Sequence, residues 1–195
     1  MSDNTSFARL VSLAAHDLRT PLATVSGFAK TLIRSVELEE PAARYVGMID
    51  AASEQLAELL DDLGLAARIE ASRYEPVLRE IDTLELARGT AERLGEERVG
   101  VSGGGGGARV DVEATERAVA ALARCALRHG GIERVEVTAD GPELAIAPVE
   151  ENAAPVVLGE DLRDLGAAVA VRLVRALGGS VAVDGETLHV RLPAP

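Results

Sequence analysis

Three features of the 195-residue sequence predict an α+β chain in two parts. Residues 5–70 carry two apolar heptad seams, the mark of long helices packed in a left-handed bundle. After them the period changes to short alternating runs interspersed with amphipathic segments, the pattern of strands mixed with helices. Hydrophobic residues make up 47% of the chain but aromatic residues only 2%. Ala, Val, Leu and Ile must therefore fill the core, which suits closely approaching helices.

The first seam runs Phe7, Val11, Ala14, Leu18, Pro21, Val25, Phe28, Leu32, alternating steps of four and three. The second runs Val46, Ile49, Ser53, Leu56, Leu60, Leu63, Ala67. Ser35 to Glu40 is a short polar connection, and Pro41 fits the first turn of a helix, where its missing N–H costs nothing. Two helices of about 30 residues, each roughly 45 Å long, make an antiparallel hairpin. Leu59, Ala52, Ala66 and Tyr45 widen the second apolar stripe beyond what one partner helix covers. Pairing two hairpins into a four-helix bundle buries both stripes, so a homodimer through residues 5–70 is expected.

His16 does not belong to the first seam. Two residues from both Ala14 and Leu18, it takes the outermost heptad position. Asp17 adjoins it, and Thr20 lies one turn later on the same side. An imidazole, a carboxylate and a hydroxyl are thus presented together. Pro21 removes a backbone hydrogen bond just beyond them and is expected to bend the helix.

Past Arg73 the expected order is a strand over Glu75–Ile81, a helix over Thr83–Leu94 opened by Asp82 with Glu85 three residues on, and a strand over Arg98–Val101. Gly103–Gly107 reads as a flexible connection, because no Gly-Lys-Ser/Thr follows it. Asp111 caps a helix to Arg128. Strands follow over Ile132–Ala139 and Glu143–Val149, then a helix over Asp161–Leu177 stopped by Gly178-Gly179. A hairpin around Asp184-Gly185 closes the chain. The expected domains are 5–72 and 73–195.

Charge and composition exclude several functions. A net charge of −12 argues against nucleic-acid binding and against an anionic membrane surface. A single cysteine, Cys125, excludes an internal disulfide and suits a reducing compartment. The opening MSDNTSF lacks a signal pattern and no apolar run reaches membrane-spanning length. A cytoplasmic protein is the expectation. Three scattered histidines and one cysteine offer no metal-ligand spacing, so no metal is expected. No hydrolase nucleophile elbow is visible, and His189 reads as structural.

The string His16-Asp17-Leu18-Arg19-Thr20-Pro21-Leu22, set on a seam helix and followed by a second, resembles the phosphoacceptor box of the dimerisation domain of sensor histidine kinases. The resemblance implies that His16 is the phosphoacceptor, that Asp17 orients its imidazole and takes its proton, and that Thr20 helps place a water for dephosphorylation. Arg19 and Pro21 are supporting positions. A response-regulator receiver is the implied partner, with Leu22 and Leu63 as exposed docking candidates, and a separate sensor kinase as a further possible partner.

The later elements are similar to the family's ATP-binding domain, a two-layer α/β sandwich. The agreement is best over Asp164–Gly179 and over the closing Leu188–Pro193, and the helix ending Cys125–Gly130 resembles the family's asparagine-bearing helix. The departures from the family's pattern are concentrated at the nucleotide site. Ala121 and Cys125 stand where Mg²⁺-holding asparagines belong. Ala147–Asn152 has neither the adenine-reading Asp nor its glycines. About a dozen residues replace the mobile lid, and Asp164 takes a glycine's place. No ATP or Mg²⁺ cofactor is therefore expected. The leading expectation is a histidine phosphotransferase relaying phosphoryl groups between His16 and a receiver aspartate. A divergent autokinase, and a non-catalytic module that docks on a kinase or regulator, are the alternatives.

Overall fold

The computed structural model describes residues 2–35 and 37–195; Val36, in the connection between the first two helices, lies outside the described residues. The chain divides into two compact units, Met1–Tyr74 and Glu75–Pro195.

The first unit is a hairpin of α1 (Ser2–Ser35) and α2 (Ala42–Glu70). Pro41 occupies the N-cap of α2, one position before the expected first turn. Helix α1 is continuous through Pro21. The seam inside the hairpin differs from the expected one by a residue. Ala8, Ala15 and Ala29 are the buried apolar residues of α1, with Leu22 and Ser26 half-buried along the same line. On α2, Ser53, Gly64, Leu65 and Ala67 are buried, most of them small. Small residues thus face each other and allow close approach of the two helices. Expected seam residues Phe7, Leu18, Val25 and Phe28 of α1 remain exposed, Phe28 at 68%. So do Tyr45, Ile49, Leu56 and Leu59 of α2. Periodicity found an apolar face, but α1 has two such faces one residue apart. The larger side chains line the one the hairpin leaves uncovered.

Polar contacts fix the hairpin's register. Lys30 Nζ sits 2.9 Å from Glu54 and 4.0 Å from Asp50, and Ser26 Oγ lies 3.2 Å from Asp50. Nearer the other end, Arg19 pairs with Asp61.

The second unit comprises β1 (Leu78–Asp82), α3 (Thr83–Leu94), β2 (Val99–Gly105), β3 (Gly107–Asp111), α4 (Val112–Gly130), β4 (Val135–Asp140), β5 (Glu143–Ala147), α5 (Ala154–Val157), α6 (Leu165–Ala176), β6 (Ser180–Asp184) and β7 (Thr187–Arg191). The main sheet has the order β2-β4-β5-β7-β6, with β2 parallel to β4 and every other pair antiparallel; β1 and β3 form a separate ribbon. Val135, Val137, Leu144, Ile146, Leu188 and Val190 alternate to one face and are buried. Helices α3, α4 and α6 pack together and supply Leu86, Leu122 and Leu173 to the same core. Each of these leucines contributes about 2–3 kcal/mol of burial. The result is the two-layer α/β sandwich, and with the helical hairpin it makes the chain α+β.

Helix starts follow the sequence closely. Asp82, Asp111 and Asp164 accept from Leu84, Ala114 and Ala167 backbone N–H groups, satisfying donors at the starts of α3, α4 and α6. The last helix accordingly begins at Leu165, later than the expected Asp161. The glycine run is not a loose connection. Gly103 to Gly105 continue β2 through a register shift against β4, and Gly107 opens β3. At Gly103, with φ of +100°, a Cβ would lie 2.1 Å from the Ala139 carbonyl oxygen. Glycine is needed there because two backbones touch.

Candidate functional site

His16 stands on α1 beside buried Ala15, its own side chain 77% exposed. Its Nδ1 lies 3.2 Å from Asp17 Oδ1. A neutral ring donating to this carboxylate carries its proton on Nδ1 and holds a free lone pair on Nε2. The ring is open to solvent, within reach of a macromolecule. Thr20 is exposed one turn on, and its carbonyl accepts from Thr24 Oγ1 at 3.2 Å. Pro21 has no N–H to donate to the Asp17 carbonyl four residues earlier. Arg19 is committed to Asp61 of α2 and braces the two helices at this level.

The structure thus brings His16, Asp17 and Thr20 to one stretch of helix surface. Leu22 and Leu63 are half-buried rather than freely exposed. The apolar side chains exposed on α1 around His16 are Leu13, Leu18 and Val25, at 56%, 55% and 47%.

In the second unit, the departures noted in the sequence converge between α4 and α6. Ala121 is half-buried and Cys125 fully buried on α4. Asp164 caps α6 through Oδ1, 3.0 Å from Ala167 N, and its Oδ2 lies 3.3 Å from His129 Nε2. Asn152 donates to the His129 carbonyl at 3.0 Å. The segment in the lid's place turns inward. Val149, Ala153, Val156 and Val157 are buried, and α5 packs on both α4 and α6. Burial, reinforced by Asp164, pushes the Cys125 thiol up to about 12. His189 contacts Glu143 at 2.8 Å across adjacent strands, consistent with a structural role.

Cys125, His129 and Asp164 present Sγ, a ring nitrogen and a carboxylate oxygen within 4.8 Å of one another. Sequence spacing did not reveal this group, and its residues are not scattered in space as they are in the chain. The available signal was Cys125 and His129 at i and i+4 on one helix; Asp164 joins them only through the packing of α6 on α4. The Arg19–Asp61 brace was likewise invisible, being formed across the hairpin.

Comparison with known proteins agrees with this architecture. Residues 8–72 match the His Kinase A (phospho-acceptor) domain family. Histidine protein kinase DivJ of Caulobacter vibrioides is 28% identical over 226 aligned positions, covering 95% of this chain and 37% of DivJ. The full-length structure of ShkA in complex with AMPPNP superposes with a TM-score of 0.65 at 22% identity, over 96% of this chain and 47% of ShkA. The ATP-binding domain of PrrB from Mycobacterium tuberculosis gives a TM-score of 0.50 at 23% identity, over 61% of this chain and 98% of that domain. The chain is a histidine kinase-like protein of the two-component class. It spans little more than a third of DivJ's length. Among the described residues, no helix is long and apolar enough to cross a membrane.

Proposed function

We propose that this chain is a dimeric histidine phosphotransferase that exchanges phosphoryl groups with the aspartate of a response-regulator receiver. The observation that carries the reading is the exposed His16 whose Nδ1 rests on Asp17, leaving Nε2 free. In the forward step Nε2 attacks the phosphorus of the receiver's acyl phosphate. The N–P bond forms, the P–O bond to the receiver aspartate breaks, and that carboxylate leaves as the anion. The imidazole gains positive charge as it attacks, and Asp17 offsets it by taking the Nδ1 proton. Thr20, on the same side, holds a water for the hydrolytic branch.

The residues between α4 and α6 do not fit ATP–Mg²⁺, and no step passes through it. Ala121 offers no metal ligand. Asp164 puts a carboxylate where the family's pattern has a glycine, which would oppose a triphosphate, and the 149–157 segment is buried against α4 and α6 rather than open. The second unit serves as a docking platform for partners. A second reading, weak ATP use, draws on the fold likeness to ShkA, whose structure contains AMPPNP.

Dimerisation is supported by the two exposed apolar faces of the hairpin, which a second copy would cover. The receiver docks on the exposed residues around His16, with Leu22 and Leu63 beneath them.

The test follows the lifetime of a phosphorylated receiver with and without the protein. Accelerated loss of receiver phosphate that disappears in His16→Ala supports phosphotransfer. No acceleration with any receiver of the same organism, together with a Tm raised by Mg-ATP, supports the autokinase reading instead.

A further inference from the structure

We propose that Cys125, His129 and Asp164 form a zinc site in the second unit. Cys125 and His129 are one turn apart on α4, so both project to the same side of that helix. Asp164, the N-cap of α6, reaches across to them. Their donor atoms lie within 4.8 Å of one another, a span that a small closure brings to a tetrahedral shell with Zn–S near 2.3 Å and Zn–N and Zn–O near 2.0–2.2 Å.

A second observation points the same way. His129 Nε2 is buried and makes no hydrogen bond among the described residues. It faces Asp164 Oδ2 at 3.3 Å without the alignment of a hydrogen bond. With Nε2 unprotonated, its lone pair against a carboxylate oxygen is unfavourable until a cation lies between them. The other Asp164 oxygen is already engaged by Ala167 N, which fixes the orientation of Oδ2. Asn152 anchors the His129 end of α4 through its carbonyl. His129 and Asp164 side chains are 16% and 14% exposed, which gives an ion a route to a site otherwise closed.

A thiol and an imidazole select a borderline or soft ion over Mg²⁺ or Ca²⁺. On binding, the S–Zn bond replaces the S–H bond and the thiol proton passes to solvent. Three protein ligands leave a fourth position for water. The site does not involve His16, and it stands or falls independently of phosphotransfer.

The test adds Co²⁺, a spectroscopic stand-in for Zn²⁺, to the full chain stripped of metal. The proposal expects one Co²⁺ per chain with a thiolate-to-cobalt absorption band. Zn²⁺ should displace it, and Zn²⁺ should raise Tm. The band should vanish in Cys125→Ala, and Asp164→Asn, which keeps an N-cap acceptor, should weaken binding at least tenfold. A His16→Ala, His189→Ala double variant should bind like the parent. His129→Gln gives an independent check should Cys125→Ala fold poorly. Absence of the thiolate band in the parent, or binding unchanged in His129→Gln and Asp164→Asn, overturns the proposal.

Discussion

At the scale of single residues, the proposed chemistry rests on His16 and its neighbour Asp17. Replacing His16 with Ala removes the nucleophile, and because the side chain is exposed, stability should change by less than about 0.5 kcal/mol. Urea unfolding checks the second half of that statement. Asp17→Asn keeps the shape but loses the proton acceptor, so phosphotransfer should slow about 10²–10⁴-fold, the usual worth of general base catalysis; single-turnover transfer measures it. Cys125 makes a pH prediction. In the metal-free folded chain burial holds its thiol neutral up to about 12, whereas in the unfolded chain it ionises near 8.5. The stabilisation from the protonated thiol is complete below the lower value and is lost as pH rises from there through the higher one. Cys125→Ala should flatten the alkaline fall in stability, read by urea unfolding between those limits. That His16, Asp17 and Thr20 share one stretch of helix surface was legible in the sequence, because all three lie within about one turn. The sequence could not locate the Cys125, His129 and Asp164 group, because two helices distant in sequence have to pack before those side chains meet.

The elements carry the next predictions. Gly64 is buried in α2, yet an added Cβ meets only Arg68 at 3.5 Å and Ala15 at 4.0 Å, ordinary contact distances. Gly64→Ala should therefore stabilise the hairpin by about 0.4–1 kcal/mol through the unfolded state. Gly103→Ala should do the reverse, costing at least about 1–3 kcal/mol from the positive φ alone, with the clash on Ala139 added. Thermal unfolding of the two variants separates them by sign. The elements also show where the sequence was and was not legible. Aspartates at helix starts marked α3 and α4 to within a residue or two, because an N-cap is a local contact. The two faces of α1 were not resolved, because a heptad pattern names apolar positions without saying which partner each one meets. Gly103–Gly107 looked like a linker because composition cannot register that β2 and β4 approach too closely for a side chain. The short α5 escaped because its burial comes from α4 and α6, not from any period of its own.

Across the whole molecule, the hairpin leaves many large apolar side chains uncovered while most of its buried residues are alanine, serine and glycine. That division suits a protein whose first partner is itself. Phe28→Glu with Ile49→Glu should leave helix content unchanged and shift sedimentation from dimer to monomer at micromolar concentration. The second unit has the fold of histidine kinase structures, and its 149–157 segment buries valines against α4 and α6. On the proposed reading, the phosphoryl group comes from another protein. The most direct test supplies two donors separately, labelled ATP with Mg²⁺ and a receiver labelled on its aspartate, and maps acid-labile label on this chain by mass spectrometry. Label on His16 from the receiver and none from ATP is the predicted result. Label on His16 from ATP alone, in the absence of any other kinase, would contradict the account.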